Sequence, residues 1–148
     1  MKNAPEDFIY YVPNQTKYTT TYINYGMRRQ RIVSTGSPVK GKYFFDFKDG
    51  STGAYCTFMG GDSKITKVET EVNNGRRVLI MKDSFGNAVP GYLFYSFEEV
   101  HVIDSRYFNK NLKKYVADNK ITDVVFANNV THASSAAIVR NYERFLVQ

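Results

Sequence analysis

The chain has 148 residues, 20 of them basic and 14 acidic, for a net charge of +6, and 43% are hydrophobic. That is the length of one domain, with enough apolar residues for a core. There is no uninterrupted run of about 18 apolar residues, which excludes a transmembrane helix, and the single cysteine, Cys56, excludes an intramolecular disulfide and cysteine-rich metal sites.

Residues 1–75 read as β-strands and long loops. Met1–Gln15 has no apolar segment of the signal-peptide kind. Phe8–Val12 is a short apolar run ended by Pro13-Asn14, Thr19–Tyr25 alternates as a strand up to Gly26, and Lys42–Phe47 is a strand candidate closed by a turn at 48–51. Cys56, set between apolar neighbours, reads as a small buried hydrophobe. Ile65–Val72 alternates again and stops at the turn Asn73-Asn74-Gly75. The 12 tyrosines and 11 phenylalanines suit half-wet β-structure, and the tyrosines crowd the first 60 residues.

Residues 76–148 alternate between strand and helix patterns. Arg77–Lys82 is a near-continuous apolar run, the mark of a strand buried on both faces, and Glu99–Asp104 and Thr122–Ala127 read as a second and a third strand. Between and after them, Phe108, Leu112, Tyr115 and Val116, then Ile138, Val139, Tyr142, Phe145 and Leu146, fall at helical spacing, with Ser134 or Ser135 as an N-cap. The fold class expected is α/β: a three-layer, flavodoxin-like, mostly parallel sheet preceded by a β-rich segment, the whole forming one domain.

In such a sheet ligands gather at the loops after the strands. Three loops converge there: 82–87, 104–107 and 128–132. Ser84, directly after a buried strand, either caps the following helix or stands as a nucleophile with backbone N–H groups behind it. Gly86 and Pro90-Gly91 weaken that helix, so Asn87 can lean inward. Asn128 and Asn129 are either oxyanion donors or ordinary loop residues. Asp83, Asp104 and Arg106 are supporting residues, Asp104 with Arg106 as an ion pair or loop brace. The turn Gly60-Gly61-Asp62 could lend a backbone N–H from Gly61. A serine nucleophile also needs a base, and the chain has two histidines. His101 reads as a packed mid-strand residue. His132, on the correct edge of the sheet, is the one that could reach Ser84, though nothing beside it in sequence resembles an acid partner. No metal-ligand spacing, P-loop or dinucleotide fingerprint is present, so neither metal nor cofactor is expected.

The elements Lys82-Asp83-Ser84-Phe85-Gly86-Asn87 and Val102-Ile103-Asp104-Ser105-Arg106-Tyr107, with Phe58-Met59-Gly60-Gly61-Asp62 before them and Val124–Asn129 after, resemble the C-terminal part of the bacterial DHHW-motif proteins. That family is similar to SGNH-type hydrolases and alginate O-acetyltransferases. The resemblance implies an SGNH-like sheet with Ser84 as nucleophile, Asn128 or Asn129 as an oxyanion donor, and acyl-ester chemistry on exported or cell-surface glycans outside the cytoplasm. The family's eponymous Asp-His-His-Trp segment, upstream of the Gly-Gly loop, has no counterpart here: no histidine precedes residue 101 and there is no tryptophan. The chain is therefore expected to lack a complete triad, as a fragment of a longer protein would, and to expose a sheet edge through which it could form a homodimer. Two other readings remain: a non-catalytic glycan-binding module of the same fold, and, last, a basic nucleic-acid binder using Arg28, Arg29, Arg31, Arg76 and Arg77.

Overall fold

The structure is a computed structural model that describes residues 8–14, 17–29, 31–48, 50–62 and 64–147. Its strands are β1 (Thr19–Arg28), β2 (Arg31–Thr35), β3 (Val39–Gly41), β4 (Lys64–Glu69), β5 (Arg77–Lys82), β6 (Glu99–Asp104) and β7 (Asp123–Ala127). Its α-helices are α1 (Leu112–Asp118), α2 (Val130–Ala133) and α3 (Ala136–Val147). The seven strands form one sheet in the order β2-β1-β4-β6-β5-β7, with β3 also on β1.

The sheet is mixed and mostly antiparallel, which corrects the expectation of a mostly parallel one. Only β6-β5-β7 run parallel. β1 pairs antiparallel with β2, β3 and β4, and β4 pairs antiparallel with β6. The cause is the N-terminal half. β1 and β2 are joined by a short turn, which pairs them antiparallel, and β4, reached through a long irregular connection, enters the sheet antiparallel between β1 and β6, where a doubly wound fold would place a parallel strand. β5 and β6 are the strands buried on both faces, as the apolar run of β5 requires.

Helices and turns sandwich this centre. On one face Leu79, Met81 and Ile103 pack with Phe108, Leu112 and Phe145 from α1, α3 and the turn before them. On the other, Val78, Ile80, Val100 and Val102 meet an aromatic layer of Tyr43, Phe58, Phe94 and Phe97. That layer is why Lys42–Phe47 is not a strand. Only Phe44 bridges, to Phe58, while Tyr43 turns wholly inward against Phe94 at a ring separation of 5.0 Å. Phe8–Val12 is likewise irregular, its Phe8 ring edge-on to Tyr55 and Phe58. Cys56 is exposed, in the single turn Ala54–Thr57, so it is not the buried hydrophobe its neighbours suggest.

Candidate functional site

The chain leaves β5 through Asp83, in extended backbone, and enters a tight turn over Ser84–Ala88, followed by a second over Pro90–Leu93. Both are 3₁₀ turns where a full helix would otherwise stand, consistent with Gly86, Pro90 and Gly91 opposing α-helix. Asp83 governs the first turn. Its Oδ1 accepts from Phe85 N–H at 2.9 Å and its carbonyl from Gly86 N–H at 3.0 Å. The free N–H groups expected behind the serine are thus taken by its neighbour. Gly86 is required by close approach: a Cβ there would lie 2.6 Å from the Ala127 carbonyl oxygen and 2.7 Å from Lys82 Cβ.

Ser84 itself is half-buried, and its hydroxyl has no hydrogen-bond partner among the described residues. It lines a cavity of about 260 Å³ with Tyr55 and Phe85. Tyr55 Oη donates to the Phe85 carbonyl at 2.8 Å, which fixes one aromatic wall.

Next to it lies the turn Met59-Gly60-Gly61-Asp62, in which the first three residues have φ of 63°, 66° and 122°. The two glycines meet this requirement without strain, and Met59 bears it. Asp62 ties this turn to the serine turn. Its Oδ1 accepts from Lys82 Nζ at 2.7 Å and from Asn87 Nδ2 at 2.9 Å, residues that flank Ser84 on either side. Its Oδ2 accepts from Arg106 at 3.0 Å. Burial opposes the charge on Asp62, but the bond from Lys82, its charge and the bond from Asn87 outweigh that and hold the carboxyl below the usual range. Lys82 is 2% exposed and also reaches Asp104 Oδ2 at 3.3 Å. Asp104, at the end of β6, accepts from Arg106 through the backbone N–H at 2.9 Å, Nε at 2.9 Å and Nη2 at 2.7 Å. The Asp104 bond raises the Arg106 pKa above its ordinary value. Two cations and two carboxylates thus form one alternating network beneath the loops after β5 and β6. Asn87 Oδ1 is buried without a partner among the described residues.

The third loop is organised around Asp83. Its Oδ2 accepts from Asn129 N–H at 2.9 Å and is hydrogen-bonded to His132 Nδ1 at 2.7 Å. Burial works against ionisation of Asp83, yet the bonds from Asn129, His132 and Phe85 lower its pKa on balance. This acid–histidine pair, 49 residues apart, is the acid partner that the neighbours of His132 in sequence do not reveal. The His132 side chain is 40% exposed. It lines a second cavity, of about 330 Å³, with Phe126, Asn128, Ile138 and Tyr142, and Ser84 is not part of that lining.

The candidate residues fall into two sets. Ser84, Asn87, Gly61, Asp104 and Arg106 gather around Asp62 and Lys82, two residues that sequence reasoning passed over as a strand end and a turn. Asn128 exchanges hydrogen bonds with Tyr142 Oη at 3.0 Å. Asn129 caps α2, accepting from His132 N–H at 3.0 Å and Thr131 Oγ1 at 2.6 Å. Neither asparagine is in the lining of the serine cavity, although Asn129 N–H bonds Asp83 next to Ser84. His101 is buried in β6, hydrogen-bonded to Tyr115 Oη at 2.8 Å and to Glu99 at 2.9 Å, as a packed strand histidine should be. Among the described residues no group of three or more metal-ligating side chains occurs, and no helix is long and apolar enough to cross a membrane.

Residues 44–103 match the DHHW protein family. The match spans the Gly-Gly turn, β4, β5, the serine turn and β6. A DHHW family protein from Eubacterium siraeum superposes with a TM-score of 0.72 at 38% identity, covering 90% of this chain and 42% of its own. Bacillus cereus PatB1 superposes with a TM-score of 0.64 at 24% identity over 87% of this chain and 41% of its own. PatB1 with a sulfonyl adduct gives 0.63 at 23% identity over 87% and 42%. The PatB1 likeness shows a shared fold. The chain spans less than half the length of each of these structures. No curated protein matches it.

Proposed function

We propose that this chain belongs to the DHHW family and is the serine-bearing part of an SGNH-like O-acyl esterase or acyltransferase that works on exported glycans. The observation that carries the reading is the placement of an unpaired, half-exposed Ser84 hydroxyl at the end of β5, with the Gly60-Gly61 turn locked beside it through Asp62. The match to the DHHW family over these same elements supports it.

In the reaction, Ser84 Oγ attacks the carbonyl carbon of an acyl ester and loses its proton to a base. The carbonyl oxygen becomes an oxyanion, received by Gly61 N–H, which has no partner among the described residues, and by Ser84 N–H. The ester C–O bond then breaks, and the base returns the proton to the departing alkoxide. Water, or a second sugar hydroxyl, takes the acyl group from Ser84 in the reverse sequence. The Asp83 bond holds His132 at Nδ1 and leaves Nε2 open, as in a base oriented by an acid, but His132 lines a different cavity from Ser84, so the base is assigned to a segment outside the described residues. What remains here is a nucleophile with its oxyanion donors. Donors and binding alone can retain roughly 10³–10⁴-fold acceleration when a triad member is absent.

The test is acyl transfer from p-nitrophenyl acetate, read by intact mass. Slow acetylation mapping to Ser84, lost in Ser84→Ala and unchanged in His132→Ala, is expected. Acetylation spread over exposed side chains, with no enrichment at Ser84, contradicts the proposal. A second reading, a glycan-binding module without catalysis, draws on the exposed rings of Tyr55 and Phe85 that line the serine cavity. It predicts sugar binding that survives Ser84→Ala alongside absent acetylation.

A further inference from the structure

Among the described residues the cavity beside Ser84 is lined by two aromatic side chains, Tyr55 and Phe85, and by the serine itself. Tyr55 is held from behind, its ring edge-on to the buried Phe58 at 5.6 Å and to Phe8 at 6.2 Å. Its hydroxyl is occupied: it donates to the Phe85 carbonyl at 2.8 Å, and burial raises its pKa above the ordinary value. The Phe85 main chain is thereby fixed at both ends, since its N–H donates to Asp83 Oδ1 at 2.9 Å. The Phe85 ring belongs to neither core cluster and stands 70% exposed. An incoming molecule therefore meets two ring surfaces and the unpaired Ser84 hydroxyl.

Such a lining suits an alkyl chain better than a sugar. A sugar ring carries a hydroxyl on nearly every carbon, and each hydroxyl taken out of water without a partner costs free energy. The lining side chains offer those hydroxyls no free donor or acceptor except the attacking atom. An alkyl chain needs only apolar surface. Size points the same way. At about 30 Å³ for a methyl-sized group, the share a water molecule takes in the liquid, a cavity of about 260 Å³ has room for roughly eight such groups, where the methyl of an acetyl fills one.

Resting on the assignment of Ser84 as nucleophile, we infer that the acyl group it takes is a straight alkanoyl chain of about four to eight carbons, laid between the Tyr55 and Phe85 rings, rather than an acetyl. The substrate is then a medium-chain ester. Ser84 Oγ bonds to the acyl carbon, the ester C–O bond breaks with its electron pair on the alcohol oxygen, and the Oγ proton ends on that oxygen. The alcohol departs on the side away from the two rings. Phe85, pinned at its main chain and exposed at its ring, is the residue that sets the preference for chain length.

The experiment measures acylation of Ser84 by p-nitrophenyl acetate, butyrate and hexanoate, by peptide mass spectrometry, each rate divided by that ester's hydrolysis in buffer alone. A methylene laid between two part-exposed rings should add about twofold, half the free-energy gain of full burial, so hexanoate should acylate Ser84 roughly tenfold faster than acetate. Phe85→Ala, at a ring the core does not use, should cut that ratio to about twofold, and Phe85→Leu should keep most of it. Equal normalised rates for the three esters overturn the inference and leave Ser84 as the nucleophile. A second measurement separates the two failures. In Ser84→Ala, methyl hexanoate should shift the Tyr55 and Phe85 ring protons in NMR spectra, and methyl β-glucoside should not. Those shifts, with no acylation of the native chain by any ester, retain the alkyl chain as the cavity's ligand and remove the nucleophile. Shifts from the glucoside in their place make the cavity a sugar site and overturn the inference, as does the absence of shifts from either compound.

Discussion

Replacing Lys82 with methionine probes the network that binds the serine turn to the Gly-Gly turn. The substitution keeps most of the volume and deletes the charge. In the native chain Lys82 is 2% exposed and sits between Asp62 at 2.7 Å and Asp104 at 3.3 Å, the latter carboxylate fully buried. Removing one partner of a buried ion pair costs about 3–5 kcal/mol, because the other charge is left behind. Arg106 still bonds both carboxylates here, at 3.0 and 2.7 Å, which puts the loss at the low end, about 3 kcal/mol. In a chain of this size each kcal/mol moves the melting temperature by roughly 2–4 °C, so a fall of about 6–12 °C is expected in calorimetry. The loss should depend on pH. Lys82 helps keep the Asp62 pKa below the ordinary value, against burial, so Lys82→Met raises it. The deficit is therefore full above the carboxylate range and shrinks as pH falls through about 4, where Asp62 is protonated without penalty. Adding Asp62→Asn to Lys82→Met should return about 1–2 kcal/mol at neutral pH. A deficit below about 1 kcal/mol, or one that does not change with pH, refutes the network as a locked, charge-compensated brace.

Other perturbations separate packing from electrostatics. Gly86→Ala drives a Cβ to within 2.6 Å of the Ala127 carbonyl; it should cost about 2–3 kcal/mol in chemical denaturation, and an unchanged midpoint would show that the two strands can part freely. Asp83→Asn weakens three hydrogen bonds at once; about 1–3 kcal/mol of destabilisation and faster exchange of the Asn129 amide are expected. His101 is depressed by burial, against Glu99 and with Lys67 and Arg77 opposing its charge. Its folded pKa lies below its unfolded value, so stability falls as pH drops below about 6.5. His101→Gln should remove that upper arm of the pH–melting curve and leave the lower one, due to Asp62 and Asp83, in place.

The centre of the fold is legible in the sequence because β5 is a near-continuous apolar run, which burial on both faces explains. The partnership of β4 is not legible. Alternation marks a strand but does not name its neighbour, and the sheet's character turned on β4 lying antiparallel to β6. Lys42–Phe47 looks like a strand because aromatic residues serve strands and core loops alike, and here they line the core. In the site, Ser84 stands out by its place after a buried strand. Lys82 and Asp62 do not, since a lysine closing a strand and an aspartate in a glycine turn are usually solvated. Their pairing depends on a contact 20 residues apart. The Asp83–His132 pair spans a still longer separation, and its one local trace is the cap at Asn129, which sets the His132 backbone. The roles of Asn128 and Asn129 were open in sequence because each also fits a loop, and the partners they take are Tyr142 and the first turn of α2.

The most direct test of Ser84 as the nucleophile is reaction of the chain with a serine-directed fluorophosphonate, with the adduct located by peptide mass spectrometry in the wild type and in Ser84→Ala. The account predicts one phosphonylated residue, Ser84, formed slowly and lost in the variant. A folded chain that gains no adduct at Ser84, or gains one at another residue that persists in Ser84→Ala, contradicts it.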